Sequence, residues 1–144
     1  NISKIKLTHY SYFENWDPYK NYLVAKKKYG LKEGPKNNTG TFTNFSQNDQ
    51  LLYSLHTYLM YLKFGFGRAN QDACIDIRRG SMDRDQAINL VNLYDNQYPE
   101  EFVEQYLEYY KINKKTFENI LNNFANKKLF IKKNGKWFPK FKIQ

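Results

Sequence analysis

Cysteine is nearly absent: Cys74 stands alone among 144 residues, so no intrachain disulfide can form. A single thiol in helical surroundings reads as a small buried apolar group, and a reducing cytoplasm is the simplest compartment for such a chain. Long apolar runs are missing too. Nothing approaches the ~20 residues of a membrane span, and Asn1-Ile2-Ser3-Lys4 does not open a signal peptide, so no membrane partner is expected. Histidine is scarce. His9 and His56 lie far apart with no Cys or Glu at ligand spacing, which argues against zinc or another bound metal. Gly-x-Ser-x-Gly, Cys-x-x-Cys and a Gly-rich loop ending in Lys-Ser/Thr are all lacking. No complete catalytic set is visible, and no residue is assigned a catalytic role.

Acidic residues are outnumbered, 14 against 23 Lys and Arg, for a formal charge of +9. Such a balance fits a polyanionic partner. However, the short runs Lys26-Lys27-Lys28, Lys114-Lys115, Lys127-Lys128 and Lys132-Lys133 are scattered and border no nucleic-acid module. Solvated faces are the favoured reading, and a basic nucleic-acid-binding module is kept as an alternative. Aromatic residues, by contrast, are plentiful: 13 Tyr and 11 Phe supply ample core for a chain whose length fits one domain.

Periodicity and punctuation predict a mainly α fold of about six helices with a short C-terminal β-hairpin. Ile5-Lys6-Leu7 alternates like a strand end, and 9–13 reads as an ordered loop. Asp17-Pro18 caps and starts a first helix that ends at Gly30, with Tyr22, Ala25 and Tyr29 near one face. After a turn-rich loop over 31–45, Ser46 with Asp49 forms a capping pattern for a helix carrying Leu51, Leu52, Leu55, Tyr58, Leu59 and Leu62 and ending near Phe64. His56, beside Leu55 and Leu59, reads as a core or boundary residue. Further helices are expected over Arg68–Arg79, from Asp83/Gln86 to Tyr94, from Pro99 to Tyr110, and from a cap at Asn113 or its neighbour to Phe124. Asn134-Gly135 supplies a type I′ turn for the tail.

The most unusual stretch runs from Lys63 to Gly80. Gly65 and Gly67 permit close backbone approach, and Gly80 closes the helix that follows. On that helix Arg68, Asp72 and Asp76 fall at i, i+4 and i+8, Arg79 joins the stripe, and Ala73, Cys74 and Ile77 offer an apolar face. Two readings stand level on spacing alone. One is an ordinary exposed ladder, each pair contributing about 0.3–0.5 kcal/mol. The other is a polar wall in which aspartates hold arginine forks for a carboxylate or phosphate. The candidate substrate-binding residues are Lys63, Arg68, Asp72, Asp76, Arg78 and Arg79, with Gly65, Gly67 and Gly80 as structural loop positions. A dinucleotide-binding loop is excluded because the third glycine is missing and a helix precedes the stretch.

Asn15-Trp16-Asp17-Pro18-Tyr19-Lys20-Asn21-Tyr22, Glu33-Gly34, Gly40-Thr41-Phe42-Thr43-Asn44-Phe45-Ser46, Lys63 through Gly80 and Met82-Asp83-Arg84-Asp85-Gln86-Ala87 together resemble the N-acetyl sugar amidotransferase family. The resemblance spans nearly the whole chain. Asn70 and Cys74 depart mildly, standing where the family is expected to have Thr and a small residue. The resemblance implies an N-type ATP pyrophosphatase of the PP-loop superfamily. Such an enzyme turns an N-acetyl group of a nonulosonic acid or related sugar into an acetamidino group in lipopolysaccharide or flagellin glycan synthesis. ATP and Mg are implied for the full-length enzyme, a glutaminase subunit as ammonia source, and a sugar as substrate. The family's Ser-Gly-Gly-x-Asp-Ser loop does not occur in these residues, so no cofactor is expected on them. The expectation is a C-terminal helical domain over 1–144. Residues 1–13 would be a remnant of a preceding PP-loop domain, 129–143 the hairpin tail, and the piece inactive by itself. A helical oligomerisation domain, forming a homo-oligomer, is the other alternative.

Overall fold

The computed structural model describes residues 5–48 and 50–143. Among them are six α-helices and one antiparallel strand pair: α1 Pro18–Tyr29, α2 Tyr53–Phe64, α3 Arg68–Arg78, α4 Arg84–Tyr94, α5 Val103–Tyr110, α6 Lys114–Phe124, β1 Phe130–Lys133 and β2 Lys136–Pro139. The mainly α expectation with a C-terminal hairpin is met. The chain divides into two units, Asn1–Lys32 and Glu33–Gln144.

The first unit contains a 3₁₀ turn at Tyr10–Tyr12 and α1. Asp17 caps α1 by accepting from the Lys20 N–H at 2.9 Å, Pro18 occupies the first turn, and Gly30 ends the helix in the left-handed region. Tyr22 is buried as expected, whereas Tyr29 is exposed. The strand predicted at 5–7 is absent: no partner strand pairs with it, and Leu7 is 93% exposed.

The second unit builds two apolar clusters. The larger joins α2, α5, α6 and the hairpin through Leu55, Tyr58, Leu62, Tyr106, Phe117 and Phe130. The rings of Tyr61 and Phe130 meet edge-on at 5.0 Å, and the Tyr106 hydroxyl donates to the Leu51 carbonyl at 3.1 Å. The smaller joins α3 to α4 through Ala73, Ala87 and Val91, with Phe42 and Met82 against it. Small residues at the crossing let these two helices lie close.

Local chemistry sets most boundaries. Asp83 and Gln86 form a reciprocal capping box at the start of α4, and the Asn113 side chain accepts from the Thr116 N–H at 2.9 Å to start α6. Pro99 is buried and precedes a 3₁₀ turn, Glu100–Phe102, that leads into α5. In the hairpin, Lys133 pairs with Lys136 across Asn134 (φ 48°) and Gly135 (φ 80°), as a two-residue type I′ turn requires. Phe130 and Trp137 share its buried face.

Four expectations in the second unit are corrected. Ser46 does not cap α2, which starts at Tyr53. The loop captures this segment instead: the Asn38 amide donates to the Ser46 carbonyl, and Gln47 has φ 59°. Leu51, predicted as a core position, therefore precedes the helix and is exposed; Asp49 lies outside the described residues. His56 is exposed, because the buried side of α2 carries Ser54, Leu55, Thr57, Tyr58, Tyr61 and Leu62. Ile77 is 37% exposed, because α3 buries Ala69, Asp72 and Ala73.

Replacing Leu62, which is fully buried, by alanine is expected to cost about 2–5 kcal/mol in urea unfolding, through lost transfer energy and a residual cavity. Leu93→Ala, at a largely exposed position, is expected to change stability by less than about 0.5 kcal/mol.

Candidate functional site

The stripe on α3 resolves into two ion pairs. Arg68 Nε donates to Asp72 Oδ1 at 2.7 Å, and Arg79 Nε donates to Asp76 Oδ1 at 2.8 Å. They differ in setting. Asp72 is buried, and its other oxygen accepts from the Thr41 hydroxyl at 2.6 Å, Thr41 being fully enclosed. Burial works against the Arg68 charge, but the hydrogen bond and negative charge of Asp72 outweigh it and raise the guanidinium above its ordinary value. Asp76 and Arg79 are half-buried. A buried, doubly bonded carboxylate fixes the plane of the Arg68 fork far better than an exposed pair does.

Arg78 is exposed at the end of α3. Lys63 is exposed on α2, its ammonium 5.4 Å from the Phe64 ring centre and 5.2 Å from that of Phe124. The predicted set is thus two Arg–Asp pairs on α3 together with Lys63 on another helix against aromatic rings. Gly65 ends α2 at φ 84°, and Gly80 follows α3 at φ 74°.

Asp95 was not singled out from sequence, yet it organises the site. It follows α4 directly and is buried. Its Oδ2 accepts from the Gly67 N–H at 2.7 Å and its Oδ1 from the Asn70 N–H at 3.2 Å, so it caps the start of α3 from a distant point in the chain. Gly67 permits this contact: a Cβ there would lie 2.8 Å from Asp95 Oδ1. Burial pushes the Asp95 carboxyl above its ordinary value, although the N–H groups of Gly67, Asn70 and Ala69 favour ionisation. A sequence signal did exist, since an aspartate at the C-terminal end of a helix opposes the helix dipole and needs a compensating donor elsewhere. Gly40 completes the knot: its N–H donates to Gln97 Oε1 at 3.2 Å, and its carbonyl accepts from the Ala69 N–H at 3.0 Å.

A separate cleft of about 860 Å³ lies between the 36–39 loop, the 96–101 segment, α6 and the hairpin. Aromatic groups line part of it, including Tyr58, Tyr98 and Trp137, alongside lysines and glutamates. No residue of α3 takes part. Lys36 bonds Glu101 at 2.6 Å, and the Asn96 amide donates to the Trp137 carbonyl at 3.4 Å, so both sides of the cleft are tethered to the segment between them. Among the described residues no three His, Cys, Asp or Glu are placed to hold a metal ion.

Residues 39–142 match the family model described as LPS biosynthesis protein WbpG-like, C-terminal domain. The chain belongs to this family. The match begins at the turn that supplies Thr41 and includes every element of the WbpG-like domain from α2 to β2. The matched residues include the whole Asp95–Gly67–Asp72–Thr41 constellation, and the family's description places the domain as a whole in lipopolysaccharide biosynthesis. None of the curated proteins compared with the chain matches it.

Two outcomes are expected in this WbpG-like domain. Gly67→Ala should lose about 2–3 kcal/mol or more in chemical denaturation, because it drives apart a buried carboxylate and its donors; Gly80→Ala, with open space around it, should cost only about 1 kcal/mol. For Asp95 the pH dependence has a definite sign. Its folded pKa lies above the ordinary 3.8, so over that interval the folded state binds more protons than the unfolded state. Asp95 thus makes stability fall as pH rises from about 3.8 through the folded value. Subtracting the stability–pH curve of Asp95→Asn from that of the parent should leave this negative slope in that window and none above it.

Proposed function

We propose that this domain is the sugar-side part of an ATP-dependent amidotransferase of the PP-loop superfamily. The enzyme would convert an N-acetyl group of a surface-glycan sugar, such as a nonulosonic acid like pseudaminic acid or a related anionic sugar, to an acetamidino group. The observation that carries the reading is Arg68. Its guanidinium is oriented by Asp72, Asp72 is in turn anchored by buried Thr41, and the arginine opens the first turn of α3. A cation fixed in this way suits a carboxylate or phosphate better than a free surface lysine does, because its entropy of ordering is already spent. Asp76 holds Arg79 on the same helix.

In this reading Arg68 and Arg79 grip the anionic group of the sugar, with Arg78 and Lys63 as outer cations. Asp72 and Asp76 orient the arginines rather than take part in chemistry. ATP would supply activation of the amide oxygen with loss of pyrophosphate, and that oxygen would depart with AMP as ammonia takes its place. The residues here do not fit an ATP–Mg site: the Ser-Gly-Gly-x-Asp-Ser loop is not in this sequence, and no carboxylate cluster among the described residues is placed to hold a metal. Nucleotide and Mg would be held by a PP-loop domain in the same enzyme, ammonia would come from a glutaminase partner, and the reaction would run in the cytoplasm where ATP is available. No helix among the described residues is long and apolar enough to cross a membrane.

In the full-length enzyme, Arg68→Ala should raise the KM for the sugar at least tenfold and leave the KM for ATP within about twofold, since a charge-assisted contact contributes about 1.5–3 kcal/mol. Arg68→Lys should recover only part, lacking the fork. Equal loss toward both substrates, or unchanged kinetics in a folded variant, would overturn the assignment.

A further inference from the structure

The cleft between the 36–39 loop, the 96–101 segment, α6 and the hairpin has no role in the reading of α3. Its size lies within the range of small-ligand sites, roughly 300–1,000 Å³, and its walls are held. The Lys36–Glu101 bond, with the Thr39 hydroxyl donating to Glu101 at 3.3 Å, fixes the loop to the 3₁₀ turn. Lys132 bonds the Asn122 side chain at 2.7 Å, which fixes the hairpin to α6.

Its lining combines three chemistries. Tyr98, half-buried, meets Tyr58 edge-on at 5.2 Å and gives the cleft its accessible ring, above a floor that includes the buried Tyr58 and Trp137. Glu100 and Glu118 supply carboxylate acceptors, and both act on the Tyr98 hydroxyl, which burial first and then these charges push up to about 12. Lys114 and Lys136 supply cations that form no ion pair with any described residue. Lys132 is also there, its ammonium 5.8 Å from the Trp137 ring centre. Aromatic carbon suits the C–H face of a pyranose, carboxylates and amides such as Asn96 accept and donate to ring hydroxyls, and uncommitted lysines suit an acidic substituent. A metal would not suit this lysine-rich lining, and an apolar ligand would leave its charges unsatisfied.

We infer that this cleft is a second saccharide-binding site, separate from α3, that takes an anionic glycan of one or a few sugar units. The half-buried ring of Tyr98 packs against the sugar ring. Glu118 and Asn96 meet its hydroxyls, and Lys114 and Lys136 meet its acidic group.

The test uses the 144-residue chain, with digalacturonic acid as the anionic probe and cellobiose as the neutral one. Amide NMR shifts and tryptophan fluorescence would be read in a Trp16→Phe background, so that Trp137 alone reports. Digalacturonate should shift the Asn96, Gly135 and Trp137 amides and change the Trp137 emission, and cellobiose should bind at least tenfold more weakly. Lys114→Glu with Lys136→Glu, both exposed positions, should weaken digalacturonate at least tenfold while circular dichroism stays unchanged; Lys27→Glu, an exposed charge change on α1, should alter it less than twofold. The inference is overturned if neither sugar perturbs these amides, or if inorganic phosphate binds as tightly as digalacturonate. It is also overturned if a Glu-rich peptide binds where the sugars do not, since the cleft would then be a peptide site. Loss of digalacturonate binding in Arg68→Ala, with the lysine variants unaffected, places the saccharide on α3; it ends the cleft assignment and leaves the α3 reading intact.

Discussion

A single buried carboxylate, Asp95, holds the second unit in register. It sits just after α4 and takes the N–H groups that begin α3, so one residue joins two helix ends: its backbone N–H bonds the Val91 carbonyl and its side chain caps α3. The arrangement has an internal tension. Desolvation disfavours the charge, while the N–H groups at the start of a helix favour it. Burial prevails in the sign of the shift, but the donors keep the carboxylate from being an orphaned polar group. The glycine at 67 is the geometric condition for this, because its missing side chain is the space the oxygen occupies.

Thr41, Asp72 and Arg68 follow from that anchoring. With the start of α3 pinned, Asp72 comes to face the turn at 39–41, and the threonine hydroxyl satisfies the oxygen that Arg68 leaves over. The Gly40 carbonyl adds a second crossing to α3 by accepting from the Ala69 N–H, and the Gly40 N–H ties the same turn to Gln97 after α4. A loop with little regular structure is in this way held as firmly as a helix. It owes this to polar bonds made in enclosed surroundings, where such bonds are strong and their loss is costly.

Features decided within a few residues were legible in the sequence. The Asp17-Pro18 start, the Asp83/Gln86 box, the Asn113 cap and the Asn134-Gly135 turn each depend on neighbours and appear as read. Ser46, with Asp49 as a weaker stand-in for Glu, carried a fainter local signal and lost to Asn38, a competitor for its backbone that only the folded loop brings near. The Arg–Asp spacing on α3 correctly indicated pairing, but not that one pair would be buried and the other half-open. That asymmetry comes from Thr41, 31 positions away. Asp95 escaped notice for the same reason: its donors lie 25 and 28 residues upstream. The cleft is assembled from five separated segments and has no linear signature.

The double duty of Asp72 limits how this surface can diverge among relatives. Any replacement at 68 or 72 reaches the 39–41 loop as well as the helix, so these two positions and Thr41 can change only in concert. Exposed neighbours such as Gln71 and Arg78 carry no such obligation. A change on the outer rim of the helix thus leaves the bonds of the inner trio intact, while a change within the trio carries into the 39–41 loop.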